Sequence, residues 1–193
     1  MGPMPSNKCS LSEENQSTLM NLALASIRHG LKVGRPLPVE EAGLPPELKA
    51  IRATFVTLER HGQLRGCIGR LEASRPLAED IAENAYSAAF QDPRFPSLRE
   101  NELDGLDIHL SMLTPAEPMI FNSEQNLLSQ LRPGEDGLIL AEGSRRGTFL
   151  PSVWEQLPEP IEFLEHLKRK AGLPSNYWSD TLKVWRYRAE VVE

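Results

Sequence analysis

The sequence has few of the residues that cross-link small secreted domains or bind metals. Among its 193 residues there are two cysteines and four histidines, and no two of them have the spacing of zinc ligands. Cys9 lies in a polar leader and Cys67 in a predicted strand, so no disulfide framework is expected. Because disulfides persist in oxidising compartments, this favours a reducing, cytoplasmic location. We predict neither a metal site nor a bound cofactor.

The sequence has no excess of basic residues and no long apolar run. The formal net charge is −6 and the pI is near 5.4, which argues against binding to long duplex nucleic acid or to anionic membranes. No apolar run approaches the roughly 20 residues of a membrane span. The apolar residues 19–25 follow two glutamates, whereas a secretory signal would follow a basic segment. We therefore expect no membrane partner.

The chain is long enough to bury a core without cross-links. Residues 1–11 are predicted to form a flexible leader and residues 12–193 a single domain of one or two lobes. Ser10 and Glu13 have the spacing of a capping box, which predicts a helix that ends before a C-cap at Gly30.

The rest of the chain contains both strand and helix patterns. Antiparallel pairing of successive strands predicts an α+β fold around a mainly antiparallel sheet, with a cleft beside residues 62–70. Ser74 is the expected N-cap of a helix that ends near Phe90. The predicted strands are 52–59, 64–69, 107–113, 137–141, 146–150 and 182–192, and further helices are predicted at 126–131, from 151, and at 160–171.

A glycine-rich strand carries one of the two cysteines. Strict alternation would point Leu64, Gly66 and Ile68 to one face, and Arg65, Cys67 and Gly69 to the other. Glycine inside a strand often marks a place where another group comes close to the backbone. We expect this close approach on the face that carries Arg65 and Cys67. Alternate residues are about 7 Å apart, so the Arg65 guanidinium could reach the sulfur and favour the thiolate. The alternative is a small buried thiol.

A second hairpin repeats this pattern. Arg65-Gly66-Cys67-Ile68 has a counterpart in Arg146-Gly147-Thr148-Phe149, and each segment precedes a helix that begins with proline. Two related strand–strand–helix units are therefore predicted, with Thr148 in the position of Cys67. A cleft is expected between such units.

Two further polar groups are candidates for the same cleft. Asp92 and Arg94 lie in a short loop between two prolines, where they either pair locally or line the cleft with Cys67. His109 lies on the polar face of a predicted strand, where it is either solvated or a base for Cys67.

The segment Leu64–Gly69, read as LRGCIG, resembles the signature of the AMMECR family, also called protein A of the AmmeMemoRadiSam system. The resemblance covers about residues 12–193. Further family blocks follow in the same order, at 92–95, 113–117, 146–151 and 170–173. The resemblance implies a compact α+β domain with a cleft beside the signature. It implies no established reaction, although RNA modification has been suggested for the family, whose members occur beside or fused to Memo-type and radical SAM proteins.

Three functions are compatible with these residues. The first is an enzyme with Cys67 as nucleophile or redox-active thiol, in RNA or cofactor modification, with Arg65 and Thr148 as further catalytic candidates. The second is a binding module for a small molecule, nucleotide, RNA end or other anion. The third is an adaptor for a Memo-type or radical SAM partner. The expected binding residues are Gly66, Gly69, Asp92, Arg94 and Arg146.

Overall fold

The structure, a computed structural model, describes residues 9–192. Within that range the chain forms five α-helices, eight β-strands and two short 3-10 helices. In chain order they are α1 (Glu13–Val33), α2 (Pro46–Lys49), β1 (Thr54–Arg60), β2 (Gln63–Gly69), α3 (Leu77–Phe90), a 3-10 helix (Glu100–Glu102), β3 (Leu106–Leu113), β4 (Glu117–Pro118), α4 (Glu124–Gln130), β5 (Gly137–Glu142), β6 (Arg145–Phe149), a 3-10 helix (Pro151–Glu155), α5 (Pro160–Lys170), β7 (Lys183–Tyr187) and β8 (Ala189–Val192).

The strands form two four-stranded sheets, in the orders β2-β1-β3-β8 and β4-β7-β5-β6. Paired strands run antiparallel, which confirms the predicted α+β class. Of the described residues, 9–113 and 190–192 form one compact unit, here called the first unit, and 114–189 form the second unit. Each unit has its own hydrophobic core.

The core of the first unit lies between the sheet and helices α1 and α3. Helix α3 presents a face rich in buried alanine, so it can approach the sheet closely. A polar network ties this helix to β1: the buried carboxylate of Asp80 accepts hydrogen bonds from the Thr54 backbone N–H, the Thr54 hydroxyl and the Asn84 amide. All three donors reach Oδ2, so this oxygen of the buried carboxylate is well satisfied.

The ends of the helices differ from three predictions. The N-cap of α1 is Ser12, while the Ser10 hydroxyl donates to Glu190. Helix α1 continues past Gly30 to a left-handed C-cap at Gly34. Gly30 is needed inside the helix because a Cβ there would lie 2.4 Å from the ring of Phe90. Helix α3 follows Pro76 and has no side-chain cap, so the predicted Ser74 cap is wrong.

The core of the second unit is built around α5. Phe163 is completely buried and stacks on Trp154, with ring centroids 3.8 Å apart. The strand predicted for residues 182–192 is in fact two strands, β7 and β8, which belong to different sheets. They separate at Arg188, whose backbone pairs with Thr114 through two hydrogen bonds.

Two remaining expectations concern the leader and the membrane. The predicted leader lies mostly outside the described residues, but Cys9 and Leu11 pack against the core of the first unit. Across residues 9–192, no helix combines the length and the apolar character that crossing a membrane requires.

Candidate functional site

Cys67 lies on the face of the first sheet opposite α3. Its β1 neighbour is Thr57, and the Cys67 Sγ and the Thr57 Oγ1 are 3.1 Å apart, within hydrogen-bond distance. The side chain is half-buried and the thiol is free. Because β2 is the edge strand of its sheet, its outer backbone groups need partners from outside the sheet.

The loop after α3 supplies those partners. The backbone N–H of Cys67 donates to Asp92 Oδ2 at 2.9 Å, and the Cys67 carbonyl accepts from Arg94 Nη2 at 3.2 Å. Asp92 and Arg94 are themselves joined by two side-chain hydrogen bonds of 2.7 and 2.9 Å. The loop therefore pairs with the edge of β2 much as a neighbouring strand would. Asp92 and Arg94 therefore pair with each other and also lie beside Cys67.

This pairing shapes the electrostatics around the sulfur. The side-chain hydrogen bond from Arg94 holds the pKa of the Asp92 carboxyl well below its ordinary value, against the opposing effect of burial. The pKa of Arg94 is raised by its hydrogen bond to Asp92 and, more weakly, by an interaction with the Cys67 side chain. The Asp92 side chain is 2% exposed and that of Arg94 is 54% exposed. Arg94 is therefore a solvent-accessible guanidinium hydrogen-bonded to the backbone carbonyl of Cys67.

Arg65 has a different role from the predicted one. The register between β1 and β2 shifts after Leu58, which pairs with Gly66, while Glu59 pairs with Leu64. Arg65 is therefore the extra residue of a β-bulge, and its side chain leaves the regular alternation. The same shift turns Leu64 outward, where it is 43% exposed, although alternation had placed it on the face of Gly66.

The bulge directs Arg65 to the 3-10 helix that precedes β3. Its guanidinium donates to both carboxylate oxygens of Glu102, at 2.8 and 3.1 Å, and to the carbonyl of Pro96. The hydrogen bond from Arg65 lowers the pKa of Glu102 to about 2. The Phe95 ring has both Arg65 and Arg94 near it, with guanidinium carbons 6.0 and 5.6 Å from its centroid. Arg65 therefore supports the loop after α3, and Arg94 is the arginine that binds Cys67.

The two signature glycines make room for different neighbours. A Cβ on Gly66 would lie 2.1 Å from the carbonyl oxygen of Ala88, so this glycine permits α3 to pack on the strand. A Cβ on Gly69 would lie 2.3 Å from the ring of Phe55. The close approach at Gly66 is thus on the face opposite the predicted one. The backbone N–H of Cys67 already donates to Asp92, so it is not free to stabilise negative charge on a bound substrate.

Thr57 and His109 complete a row across the sheet. The register places Thr57 directly between Cys67 and His109 on adjacent strands. Because neighbouring Cβ atoms are about 5 Å apart, His109 lies roughly 10 Å from Cys67 and does not contact it directly. His109 Nε2 instead lies 3.6 Å from a carboxylate oxygen of Glu59. The sequence reasoning missed Thr57, whose partnership with Cys67 depends on the bulge.

The other two candidates belong to the second unit. Thr148 is buried in β6 opposite Ile139, and its carbonyl accepts from Lys170. Arg146 is exposed on the same strand. Gly147 packs on α5, where a Cβ would lie 2.9 Å from the backbone nitrogen of Ala171. Each hairpin thus packs a strand glycine on a helix backbone.

The described part of the chain has no group of side chains suited to holding a metal ion. Within residues 9–192, no three His, Cys, Asp or Glu side chains are grouped so that they could hold a metal ion. The polar residues grouped around the edge of β2 are Thr57, Cys67, Asp92 and Arg94, with Arg65 and Glu102 supporting the loop.

The sequence matches a known family over most of the chain. The AMMECR1 family model matches residues 20–192. The chain belongs to the AMMECR1 family. An AMMECR1 relative from Methanothermobacter thermautotrophicus is 40% identical over 183 residues, covering 94% of this chain and 95% of the relative. A relative from Thermotoga maritima is 38% identical over 171 residues, covering 87% and 92%.

A crystal structure supports the same assignment. The uncharacterised protein PH0010 from Pyrococcus horikoshii superposes with a TM-score of 0.79 at 34% sequence identity, covering 94% of this chain and 92% of the other. Both the sequence and the fold of this chain are therefore those of an AMMECR1 protein.

Proposed function

We propose that this AMMECR1 protein is an enzyme in which Cys67 attacks an anionic substrate. The observation that carries the proposal is that the exposed guanidinium of Arg94 donates to the backbone carbonyl of Cys67, the residue that bears the half-buried free thiol. An adjacent cation is the usual means by which a protein activates a cysteine nucleophile. The role first assigned to Arg65 thus passes to Arg94.

Arg94 has donors left for a substrate. A guanidinium carries five N–H donors. The hydrogen bonds to Asp92 and to the Cys67 carbonyl use Nε and Nη2, so the two N–H groups of Nη1 remain for the sulfur or for an incoming anion. Since Asp92 fixes the guanidinium on one side, the free side is pre-oriented for phosphate or carboxylate oxygens.

Thr57 can orient the Cys67 thiol and stabilise its thiolate by a hydrogen bond. Its hydroxyl is at hydrogen-bond distance from the sulfur and can either accept from the thiol or donate to a thiolate. In the proposed step Cys67 first loses its proton to solvent, and an electron pair of the thiolate then forms a bond to an electrophilic carbon of the substrate. The bond from that carbon to the leaving group breaks, and the leaving group departs with the electron pair of that bond. The acidic composition of the chain favours a small phosphorylated molecule or an RNA end as substrate, because a long duplex would be repelled.

The test measures how fast Cys67 reacts. In a Cys9→Ser background, alkylation by iodoacetamide and by the anionic reagent iodoacetate is followed by mass spectrometry at neutral pH. We expect Arg94→Gln to slow the reaction with iodoacetate by about fivefold or more, and the reaction with neutral iodoacetamide by less. Arg70→Gln, which changes an exposed arginine just after the same strand, is the matched control and should leave both rates within about twofold.

Two results would overturn the proposal. One is a Cys67 that reacts no faster than a small free thiol with either reagent. The other is an Arg94→Gln variant that reacts like the unaltered protein. A Cys67→Ala variant that retains nucleotide affinity and cellular role in full would instead identify the site as a binding module without catalysis.

A further inference from the structure

Three arginines line a pocket of about 410 Å³ in the second unit. They are Arg132, Arg186 and Arg188, and Glu117 is the acidic residue in the same lining. We propose that this pocket binds the phosphate group of a small molecule. The site contains none of the residues around Cys67, and the inference does not depend on the proposed chemistry of that thiol.

The fold brings the three arginines together from distant parts of the sequence. Arg186 lies in β7, and Arg188 follows at the point where the backbone pairs with Thr114. Two residues apart on an extended segment, their side chains share one face and start about 7 Å apart. Arg132 comes from the turn after α4. The side chains are 49%, 26% and 35% exposed for Arg132, Arg186 and Arg188, so solutes can reach all three.

The acids that accompany these arginines engage them loosely. Glu135 lies 4.0 Å from Arg132 and 3.6 Å from Arg188, and Asp136 lies 3.8 Å from Arg186. All three distances exceed that of a hydrogen bond. By contrast, Arg65 Nε and Glu102 Oε1 are 2.8 Å apart and form a hydrogen bond. The guanidinium N–H groups therefore remain largely available to an oxyanion.

Asp136 is a buried acid that interacts with two of these arginines. It is completely buried, and its Oδ2 accepts from the backbone N–H of Arg132 at 2.8 Å. Its other oxygen, Oδ1, has no hydrogen-bond partner. A buried carboxylate needs compensation, and the nearby Arg186 provides it by charge without a close hydrogen bond. Arg186, which also donates to the carbonyl of Gln130 at 3.4 Å, is thus held at the pocket wall with donors to spare.

Phosphate is the ligand class that fits this arrangement. Arginine forks match pairs of phosphate oxygens, and a doubly charged phosphate can engage more than one fork at once. Inorganic phosphate and the phosphate of a larger metabolite share this chemistry. Because Glu117 lies in the same lining, its charge should oppose any bound anion, so neutralising it should strengthen binding.

The test is calorimetric titration of the full-length protein with inorganic pyrophosphate at moderate ionic strength. We expect saturable binding that is weakened about tenfold or more in the double variant Arg186→Gln/Arg188→Gln. Arg169→Gln is the matched control, since Arg169 is an exposed arginine of α5 in the same unit, and it should change the affinity by less than about twofold. Glu117→Gln should tighten binding by about twofold to fivefold.

Several outcomes would overturn the inference. The first is the absence of saturable binding below about 10 mM pyrophosphate. The second is an Arg169→Gln variant that loses as much pyrophosphate affinity as the double variant. The third is tighter binding of citrate than of pyrophosphate, which would identify the pocket as a carboxylate site. If the double variant does not fold, as judged by circular dichroism, the Glu117→Gln result decides, and an unchanged affinity there counts against the proposal.

Discussion

The carboxylate of Asp92 accepts a hydrogen bond from the backbone N–H of Cys67 at 2.9 Å, across 25 positions of the sequence. The same carboxylate, which is almost fully buried, also binds the guanidinium of Arg94. One acid thus orders both the backbone of the proposed nucleophile and the cation beside it. The strand that carries Cys67 and the loop after α3 are joined through this acid.

Removing this acid should destabilise the first unit as well as the site. Asp92→Ala leaves the Cys67 N–H and the Arg94 guanidinium without their acceptor, and we expect the free energy of unfolding to fall by about 2–3 kcal/mol. Urea denaturation at neutral pH measures the change. Asp107→Ala, at an exposed strand position of the same unit, should cost less than about 0.5 kcal/mol. Equal effects of the two substitutions would contradict the assigned role of Asp92.

The ion pair of Arg65 and Glu102 should make stability depend on pH. The pKa of Glu102 is about 2 in the folded protein, below its ordinary value of 4.5. A depressed folded pKa means that the pair stabilises the protein fully above about pH 5 and that this stabilisation is lost as the pH falls toward 2. Glu102→Gln should therefore cost about 1–2 kcal/mol at pH 7 and almost nothing near pH 2.

Urea titrations at several pH values test this dependence. Glu100→Gln changes an exposed glutamate of the same 3-10 helix and is the control, with an expected cost below about 0.5 kcal/mol throughout. A cost for Glu102→Gln that stays constant from pH 7 to about pH 2 would refute the proposed linkage.

Gly66 should be the least replaceable of the strand glycines. An added Cβ would lie 2.1 Å from a helix carbonyl, so Gly66→Ala must displace α3 or the strand, and we expect a loss of about 2–3 kcal/mol. Gly147→Ala meets its helix at 2.9 Å and should cost less. Gly43→Ala, with nothing within 4 Å, is the control. Thermal unfolding ranks the three variants, and a Gly43 variant as unstable as that of Gly66 would disprove the packing argument.

Cys9 should be slow to alkylate at neutral pH. Burial raises the pKa of the Cys9 thiol above its ordinary value, in spite of a hydrogen bond to the backbone of Leu11. Because only the thiolate reacts, the rate of Cys9 modification should keep rising through about pH 9. The measurement is made in a Cys67→Ser variant with iodoacetamide, followed by peptide mass spectrometry. A rate that levels off below about pH 8 would show that Cys9 is not shielded.

Much of the first unit was predictable from local sequence. The turn at His61 and Gly62 has positive φ at both residues, as the tightest hairpin turns require, and β1 and β2 followed from it. Along β3, the alternate residues Leu110 and Met112 are completely buried, as a period of two predicts for one face of a strand. These features depend on neighbours in the chain, which is why a periodic pattern reveals them.

The partner of Cys67 was not predictable in this way. Counting back from the turn without interruption would place Val56 opposite Cys67, but the bulge at Arg65 moves the register by one residue and places Thr57 there. A bulge depends on how the strand packs against other elements, in this case on Glu102 and Pro96, which receive the Arg65 side chain. Alternation alone carries no signal of it.

By itself, then, the sequence determined the family, the α+β class, the hairpins and the cysteine around which a site could form. Only the tertiary structure decided that Arg94 binds Cys67 while Arg65 binds Glu102, and that Arg132, Arg186 and Arg188 share one pocket. The physical reason is distance along the chain. Local propensities fix what each segment becomes, while the pairing of side chains from separate segments depends on how those segments pack.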